Sequence, residues 1–147
     1  MYIKVVFNDP NIEDVVNSNT GKVISILSKI NPSGSVSLEF ISEIIVPATL
    51  HEQIAFFYDI SNEPIGFITW CKLNKRTFID YIKIPNFKLH FSEWSEGDEI
   101  FINCLYCTKS SLIPICKKVA SGGVIPERTF MYQHKKFIKS ISIDNLL

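Results

Sequence analysis

Three histidines are the side chains of this chain best suited to accept a proton near neutral pH: His51, His90 and His134. His51 follows a predicted helix and precedes a predicted hairpin, a position from which its ring could reach a cleft. His90 alternates with apolar residues, and His134 lies in a polar segment flanked by lysines. No two histidines are three or four residues apart, so their spacing predicts no metal site. His51 is therefore the candidate base.

Four cysteines are the other potentially reactive residues: Cys71, Cys104, Cys107 and Cys116. Cys104 and Cys107 have the two-residue spacing of a metal-binding or redox pair, but no second such pair exists. They also lie in an apolar run that reads as a strand, with no helix N-terminus beside it to lower a thiol pKa. We expect buried free thiols at all four positions.

Composition predicts one folded domain, residues 1–147, that binds neither nucleic acid nor metal. The chain is 46% hydrophobic and 12% aromatic, which is typical of a globular protein. Its 15 basic residues balance its 15 acidic ones, whereas nucleic-acid binding needs clustered positive charge. No apolar run is long enough to span a bilayer, and the first ten residues lack a signal-peptide cleavage site. These features predict a cytoplasmic protein.

The elements that must position any site are organised around a hairpin at residues 53–73. Two apolar, aromatic and β-branched runs flank a polar turn at Asp59–Glu63. The near-continuous apolar segment 99–108 predicts a central strand that is buried on both faces. Helical spacing and strand-like runs predict the remaining elements: a short edge strand at 2–7, helices at 20–30, 37–46 (ended by Pro47) and 112–120, an ambiguous segment at 77–84, a strand or extended loop at 87–91, and one or two final strands within 130–143. The order predicts an α+β fold with a largely antiparallel sheet flanked by helices.

Four segments of the chain, taken in order, resemble the RTX toxin-activating lysine acyltransferases. Residues 21–28, beginning Gly-Lys-Val-Ile, resemble the family's opening glycine and helix, and Gly21 to Trp70 aligns without a gap. The other three segments are 36–53, which contains Val-Ser-Leu-Glu-Phe-Ile and Ile-Val-Pro-Ala; 64–73, Pro-Ile-Gly-Phe-Ile-Thr-Trp-Cys-Lys-Leu; and 94–98, Trp-Ser-Glu-Gly-Asp. The resemblance covers about residues 20–108.

The resemblance implies a fold similar to that of the GCN5-related N-acetyltransferases, or GNAT enzymes. It also implies transfer of a fatty acyl group from acyl carrier protein to internal lysines of an RTX protoxin, in the cytoplasm of a bacterium and often by a dimer. No cofactor would be bound, because acyl carrier protein is the donor substrate. In this family a His after the first helix and an Asp on the strand after the Trp-to-Asp turn carry the chemistry. A lysine amine is protonated at neutral pH, so a base must remove a proton before attack.

The chain departs from the family at both of those positions. In the gapless alignment the His position falls on Ser33, and no histidine precedes residue 51. The Asp position falls on Asn103 if one residue is deleted after Asp98, or on Cys104 if none is. Neither serine nor asparagine is a general base at neutral pH, so the expected pair is replaced.

Two functions follow from the resemblance. In the first, the chain is a divergent lysine acyltransferase in which His51, or a water positioned by Ser33 and Asn103, accepts the proton. Its acyl chain would lie in a cleft lined by aromatic side chains: Phe56, Phe67, Trp70 and Phe101. In the second, the same scaffold is a binding module for a carrier protein or a toxin partner, without turnover. A third reading, an unrelated small α+β interaction domain, also stays open.

Overall fold

The predicted hairpin is present and is part of a six-stranded sheet. The computed structural model describes residues 2–6, 12–127, 129–134 and 137–142. Strands β2 (Ile54–Tyr58) and β3 (Pro64–Leu73) pair antiparallel across the predicted turn. The carboxylate of Asp59 closes this turn, because its Oδ1 accepts hydrogen bonds from the backbone N–H groups of Ser61 (2.8 Å) and Glu63 (3.0 Å).

The strands lie in the sheet in the same order as in the chain. The other four are β1 (Lys4–Val6), β4 (Glu99–Cys107), β5 (Thr129–His134) and β6 (Phe137–Ser142). Neighbouring strands are antiparallel except β4 and β5, which are parallel. Segment 99–108 is therefore an interior strand, as predicted, but it is buried only at Ile100 and Phe101, and its second half is partly exposed. The α+β class with a largely antiparallel sheet flanked by helices is confirmed.

Helices cover both faces of this sheet and define two apolar clusters. On the first face, α1 (Ile12–Ile30) and α4 (Lys75–Lys83) pack against a cluster that contains Phe67 and Phe101. On the second face, α5 (Leu112–Ala120) packs against a cluster that contains Trp70. Because side chains of a strand alternate between faces, one strand supplies residues to both clusters.

Gly66 lets β4 and α5 approach β3 closely. A Cβ at this position would lie 2.8 Å from Cβ of Cys107 and 3.0 Å from Cδ1 of Ile115. Such contacts are shorter than real Cβ atoms make, so any other residue would push α5 or β4 away from the sheet.

Two helix predictions differ from the structure. The helix predicted at 20–30 begins earlier, at Ile12, and α1 runs through Asn19, whose buried side chain donates a hydrogen bond to Thr49 Oγ1 (3.2 Å) and so gains a tertiary partner. Pro47 does not end the second helix. Short α2 (Leu38–Phe40) passes through a π-helical turn (Ile41–Ile45) into α3 (Val46–Leu50), where the proline occupies the first turn and its missing N–H costs nothing.

The ambiguous segment 77–84 is helical, and 87–91 is not a strand. Asn74 caps α4 by accepting a hydrogen bond from the Thr77 backbone N–H (2.8 Å). The alternating stretch 87–91 leads instead into a 3-10 turn, Phe91–Trp94. No helix among the described residues is both long and apolar enough to cross a membrane.

Candidate functional site

A bulge in β4 places Asn103 in a special position. Thr69 of β3 lies opposite Cys104, while the next residue, Trp70, lies opposite Ile102. Asn103 is therefore the extra residue of a β-bulge, a feature that often redirects a side chain near an active site. As a result Asn103 and Cys104 both contact residues of the first face. The two alternative alignments of the family's Asp position thus lead to the same place in the fold.

Asn103 lies at the centre of a small polar cluster. Its Nδ2 donates hydrogen bonds to the Cys71 sulfur and to the Tyr81 phenol oxygen, both at 3.3 Å. Its Oδ1 is buried and has no hydrogen-bond partner among the described residues. A buried amide oxygen without a partner is costly, so this atom is an acceptor available to a bound donor group.

The titratable groups of this cluster are neutral at physiological pH. Burial raises the pKa of Tyr81 and of Cys71 to about 12 each, and that of Cys104 to about 11. The thiols of Cys71 and Cys104 therefore stay protonated and are poor nucleophiles. The prediction of buried cysteines is wrong at Cys116, which is exposed, and Cys107 is only partly buried. Tyr81 keeps its phenolic proton, which it can donate to a ligand while its oxygen accepts from Asn103.

A cavity of about 680 Å³ lies beside this cluster, where β4 and β5 separate. In the described part of the chain, the register of these two parallel strands is the single pair Phe101 and Met131. The cavity passes through the sheet, because its lining comes from both faces. Tyr81, Ile82, Phe101, Asn103 and Cys104 line it from the first face, and Ile68, Leu105, Cys116, Val119, Phe130 and Ile141 from the second. Its volume is within the range of roughly 300–1,000 Å³ typical of small-molecule sites.

The aromatic residues predicted to line one cleft do not lie together. Phe101 does line the cavity. Phe56 and Phe67 are fully buried in the cluster on the first face and are not part of the cavity lining. Trp70 is buried on the opposite face, against α5. The cleft of Phe56, Phe67, Trp70 and Phe101 is therefore corrected: strand alternation sends Trp70 to the face opposite the other three, and Phe56 and Phe67 are core residues away from the cavity.

His51 lies in a separate hydrogen-bonded network after α3. Its Nε2 is 2.8 Å from the Phe91 carbonyl oxygen, which can only accept, so Nε2 carries the proton. Its Nδ1 is 3.1 Å from Ser95 Oγ, which also accepts a hydrogen bond from Gln53 Nε2 (2.8 Å). The ring stacks on Phe91 at 4.4 Å between centroids. His51 does not line the cavity.

Ser33 lies in the exposed turn after α1. Its neighbours line a different groove, between α1 and α2, that includes Phe40 and Tyr106. The three predicted catalytic residues, Ser33, His51 and Asn103, are therefore not brought together, and Asn103 alone lines the cavity. Sequence reasoning missed Tyr81, whose segment was ambiguous and whose partners come from distant strands.

Neither a base nor a metal site is evident at the cavity. The described residues that line it include no histidine, aspartate or glutamate. Among the described residues, no group of three or more His, Cys, Asp or Glu side chains could hold a metal ion. The cavity therefore supplies hydrogen bonds and apolar surface rather than a proton acceptor.

Comparison with known proteins agrees with the resemblance read from the sequence. The family model HlyC, described as the RTX toxin acyltransferase family, matches residues 15–114, which span α1 to the first turn of α5. No curated protein sequence matches the chain. A GNAT-family acetyltransferase from Streptococcus agalactiae aligns in structure with a TM-score of 0.47 and 10% identity, covering 91% of this chain and 77% of its own.

A second solved structure, "histone acetyltransferase HPA2 and related acetyltransferase" from Corynebacterium glutamicum, aligns with a TM-score of 0.41 and 10% identity. It covers 90% of this chain and 76% of its own. The family match is the stronger finding of the two kinds of comparison. It extends over more than half of the chain and includes β3, the bulge and Asn103. The chain belongs to the RTX toxin acyltransferase family.

Proposed function

We propose that this chain transfers a fatty acyl group from the thioester of acyl carrier protein to a lysine amine of an RTX protoxin. Family membership supports the reaction class. The observation that carries the proposal is the cavity through the sheet with Asn103 and Tyr81 at its wall. Acyl carrier protein is a substrate, so the proposal needs no bound cofactor, and the reaction takes place in the bacterial cytoplasm.

Asn103 and Tyr81 offer complementary groups to the two reactants. The phenolic proton of Tyr81 is donated to the thioester carbonyl oxygen, which gains negative charge as the bond forms. Asn103 Oδ1 accepts a hydrogen bond from the lysine amine and so directs its lone pair toward the carbonyl carbon. A C–N bond forms and the C–S bond breaks, and the carrier leaves as a thiolate that takes up the proton which the attacking nitrogen loses. Apolar residues along the cavity hold the acyl chain.

Because the described cavity lining contains no base, the lysine amine must bind in its neutral form. The lysine must lose its proton to water before it binds, since its pKa is about 10.4 in solution. The transfer rate should therefore rise about tenfold per pH unit between pH 7 and 9, because the neutral amine increases by that factor. A plateau near pH 6.5–7 would instead indicate a histidine base and would contradict this mechanism.

The proposal is tested by incubating the protein with acyl-loaded carrier and protoxin. We expect the mass of one acyl group on a lysine of the protoxin, detected by mass spectrometry after proteolysis. Samples without the protein control for spontaneous acylation. A protoxin that gains no acyl mass at any pH between 7 and 9 would overturn the enzyme reading.

A binding module is the second candidate, and the absence of a histidine or carboxylate from the described cavity lining favours it. In that case the cavity would hold the acyl chain of the carrier without transfer. The two readings differ in one measurement: the module binds acyl-loaded carrier more tightly than unloaded carrier but adds no mass to the protoxin.

A further inference from the structure

Helix α5 separates the acyl cavity from a second groove. Cys116 and Val119 line the cavity from one side of the helix. On the other side, Ile113, Pro114, Lys117, Lys118 and Ser121 form a groove of about 580 Å³ with Tyr2 and Ile3 next to β1; we call this surface the α5 groove. The two spaces are therefore about one helix diameter apart, roughly 10 Å.

The α5 groove exposes large apolar side chains. Ile113 is 67% exposed and Tyr2 is 66% exposed, and neighbouring Leu112 at the start of α5 is 48% exposed. Single exposed apolar residues are ordinary, but three around one groove form a patch of the kind that binds a partner.

The charge of this surface is positive. The segment from Ile100 to Pro126 contains no acidic residue, whereas it carries Lys109, Lys117 and Lys118. None of these lysines forms an ion pair within the described part of the chain. By contrast, Lys88 on the first face is bound by Glu39 and Glu43. Lys75, Arg76 and Lys83 of α4 also form no ion pair within the described part of the chain, but their helix carries Asp80. The α5 groove has no acidic residue in its described lining, so an acidic partner fits it better than the first face.

We propose that the α5 groove is the docking surface for the acyl carrier protein, a partner whose acidic side chains pair with Lys117 and Lys118 and whose apolar side chains contact Ile113. This inference rests on the proposed function. The two substrates would then approach from opposite faces of the sheet. The carrier delivers the thioester from the α5 side, and the target lysine reaches the cavity from the α4 side, where Tyr81 lies. Charge pairing at such a surface accelerates encounter and weakens with salt.

The test compares two charge reversals that change the net charge equally. Lys117→Glu/Lys118→Glu alters the α5 groove, and Lys75→Glu/Arg76→Glu alters exposed positions of α4 on the opposite face. Binding of acyl-loaded carrier is measured by fluorescence anisotropy at low and high salt, and transfer is measured with two donors: the carrier and a small acyl thioester of N-acetylcysteamine. Circular dichroism verifies the fold of each variant.

We expect the α5 variant to bind the carrier at least tenfold more weakly and to raise KM for it by a similar factor. Its transfer from the small thioester should stay within twofold of the wild-type rate. The α4 variant should change carrier affinity less than threefold. Ile113→Ser, which leaves the charge intact, should also weaken carrier binding.

Two results would overturn the inference in distinguishable ways. If the wild-type protein uses the carrier but both charge reversals have equal effects, the docking surface lies elsewhere and the proposed function stands. If the wild-type protein neither binds the carrier nor accepts an acyl group from either donor, the proposed function and the docking surface both fail.

Discussion

The cluster around Asn103 and the network around His51 contain similar groups but differ in what surrounds them. Each includes a buried amide oxygen without a partner among the described residues, Asn103 Oδ1 in the first and Gln53 Oε1 in the second. Asn103 lies at the wall of a large cavity. Gln53 is 2% exposed and is absent from the cavity lining, and the His51 ring has partners at both nitrogens.

A buried acceptor without a partner can bind a ligand only where space for the ligand adjoins it, and of these two atoms only Asn103 Oδ1 meets that condition. Histidine is the more familiar catalytic residue, yet in this chain it holds the Phe91–Trp94 turn against the end of α3. Asparagine cannot accept a proton, yet the β-bulge gives it the position from which a ligand can be oriented.

The largest effect should come from Tyr81→Phe, which removes the donor to the thioester carbonyl and little volume. Loss of one such donor typically lowers turnover about 10²–10³-fold. We expect kcat of acyl transfer to fall by about two orders of magnitude, with the melting temperature nearly unchanged. Retention of more than a third of the wild-type rate would show that the phenol is structural.

Asn103→Leu should have the next largest effect, since it removes the acceptor for the amine and keeps a similar side-chain volume. A lost hydrogen bond of about 1–3 kcal/mol corresponds to a decrease in kcat/KM of roughly 10- to 100-fold.

Asn103→Asp supplies the family's carboxylate and should make the pH–rate profile flatter below pH 9. An unchanged profile in Asn103→Asp would exclude contact between this side chain and the amine.

Alkaline unfolding should report on the burial of the Asn103 cluster. The pKa of Cys71 is about 12 in the folded state and 9.0 in the unfolded chain, so only the unfolded thiol ionises between these values. Its contribution to stability is complete below pH 9 and is lost as the pH rises toward 12, by up to about 1.4 kcal/mol per pH unit. Denaturant unfolding from pH 8 to 11 should show this slope, and Cys71→Ala should reduce it. Cys116→Ala should reduce the slope less than Cys71→Ala does, because Cys116 is exposed and burial raises its pKa only in part.

Local sequence signals predicted the elements but not the site. The Asp59 turn and the apolar runs around it predict the hairpin, because these signals lie within a few residues of the bonds they make. The bulge in β4 has no comparable signal in the local sequence. The family's Asp position aligns with either Asn103 or Cys104, and the register of β3 against β4 places both residues at the bulge.

The site residues from distant segments were harder to predict for the same reason. Tyr81 and Cys71 reach Asn103 through the packing of α4 on the sheet, which no local pattern specifies. The cavity exists because β4 and β5 separate after a single described pair, and strand patterns predict strands but not where they diverge. The family resemblance supplied Asn103 as a candidate, whereas periodicity alone would have treated it as a strand position.

The smallest effect on catalysis should come from His51→Asn. The substitution breaks the hydrogen bond to the Phe91 carbonyl and the stacking on its ring, so the free energy of unfolding should fall by about 1–2 kcal/mol. Acyl transfer at saturating substrate should stay within twofold, and the pH–rate profile should keep its slope. His90→Asn is the matched control, because His90 caps the same 3-10 turn. A general base typically contributes about 10²–10⁴-fold, so a loss of that size in His51→Asn but not in His90→Asn would move the proton acceptor to the His51 network.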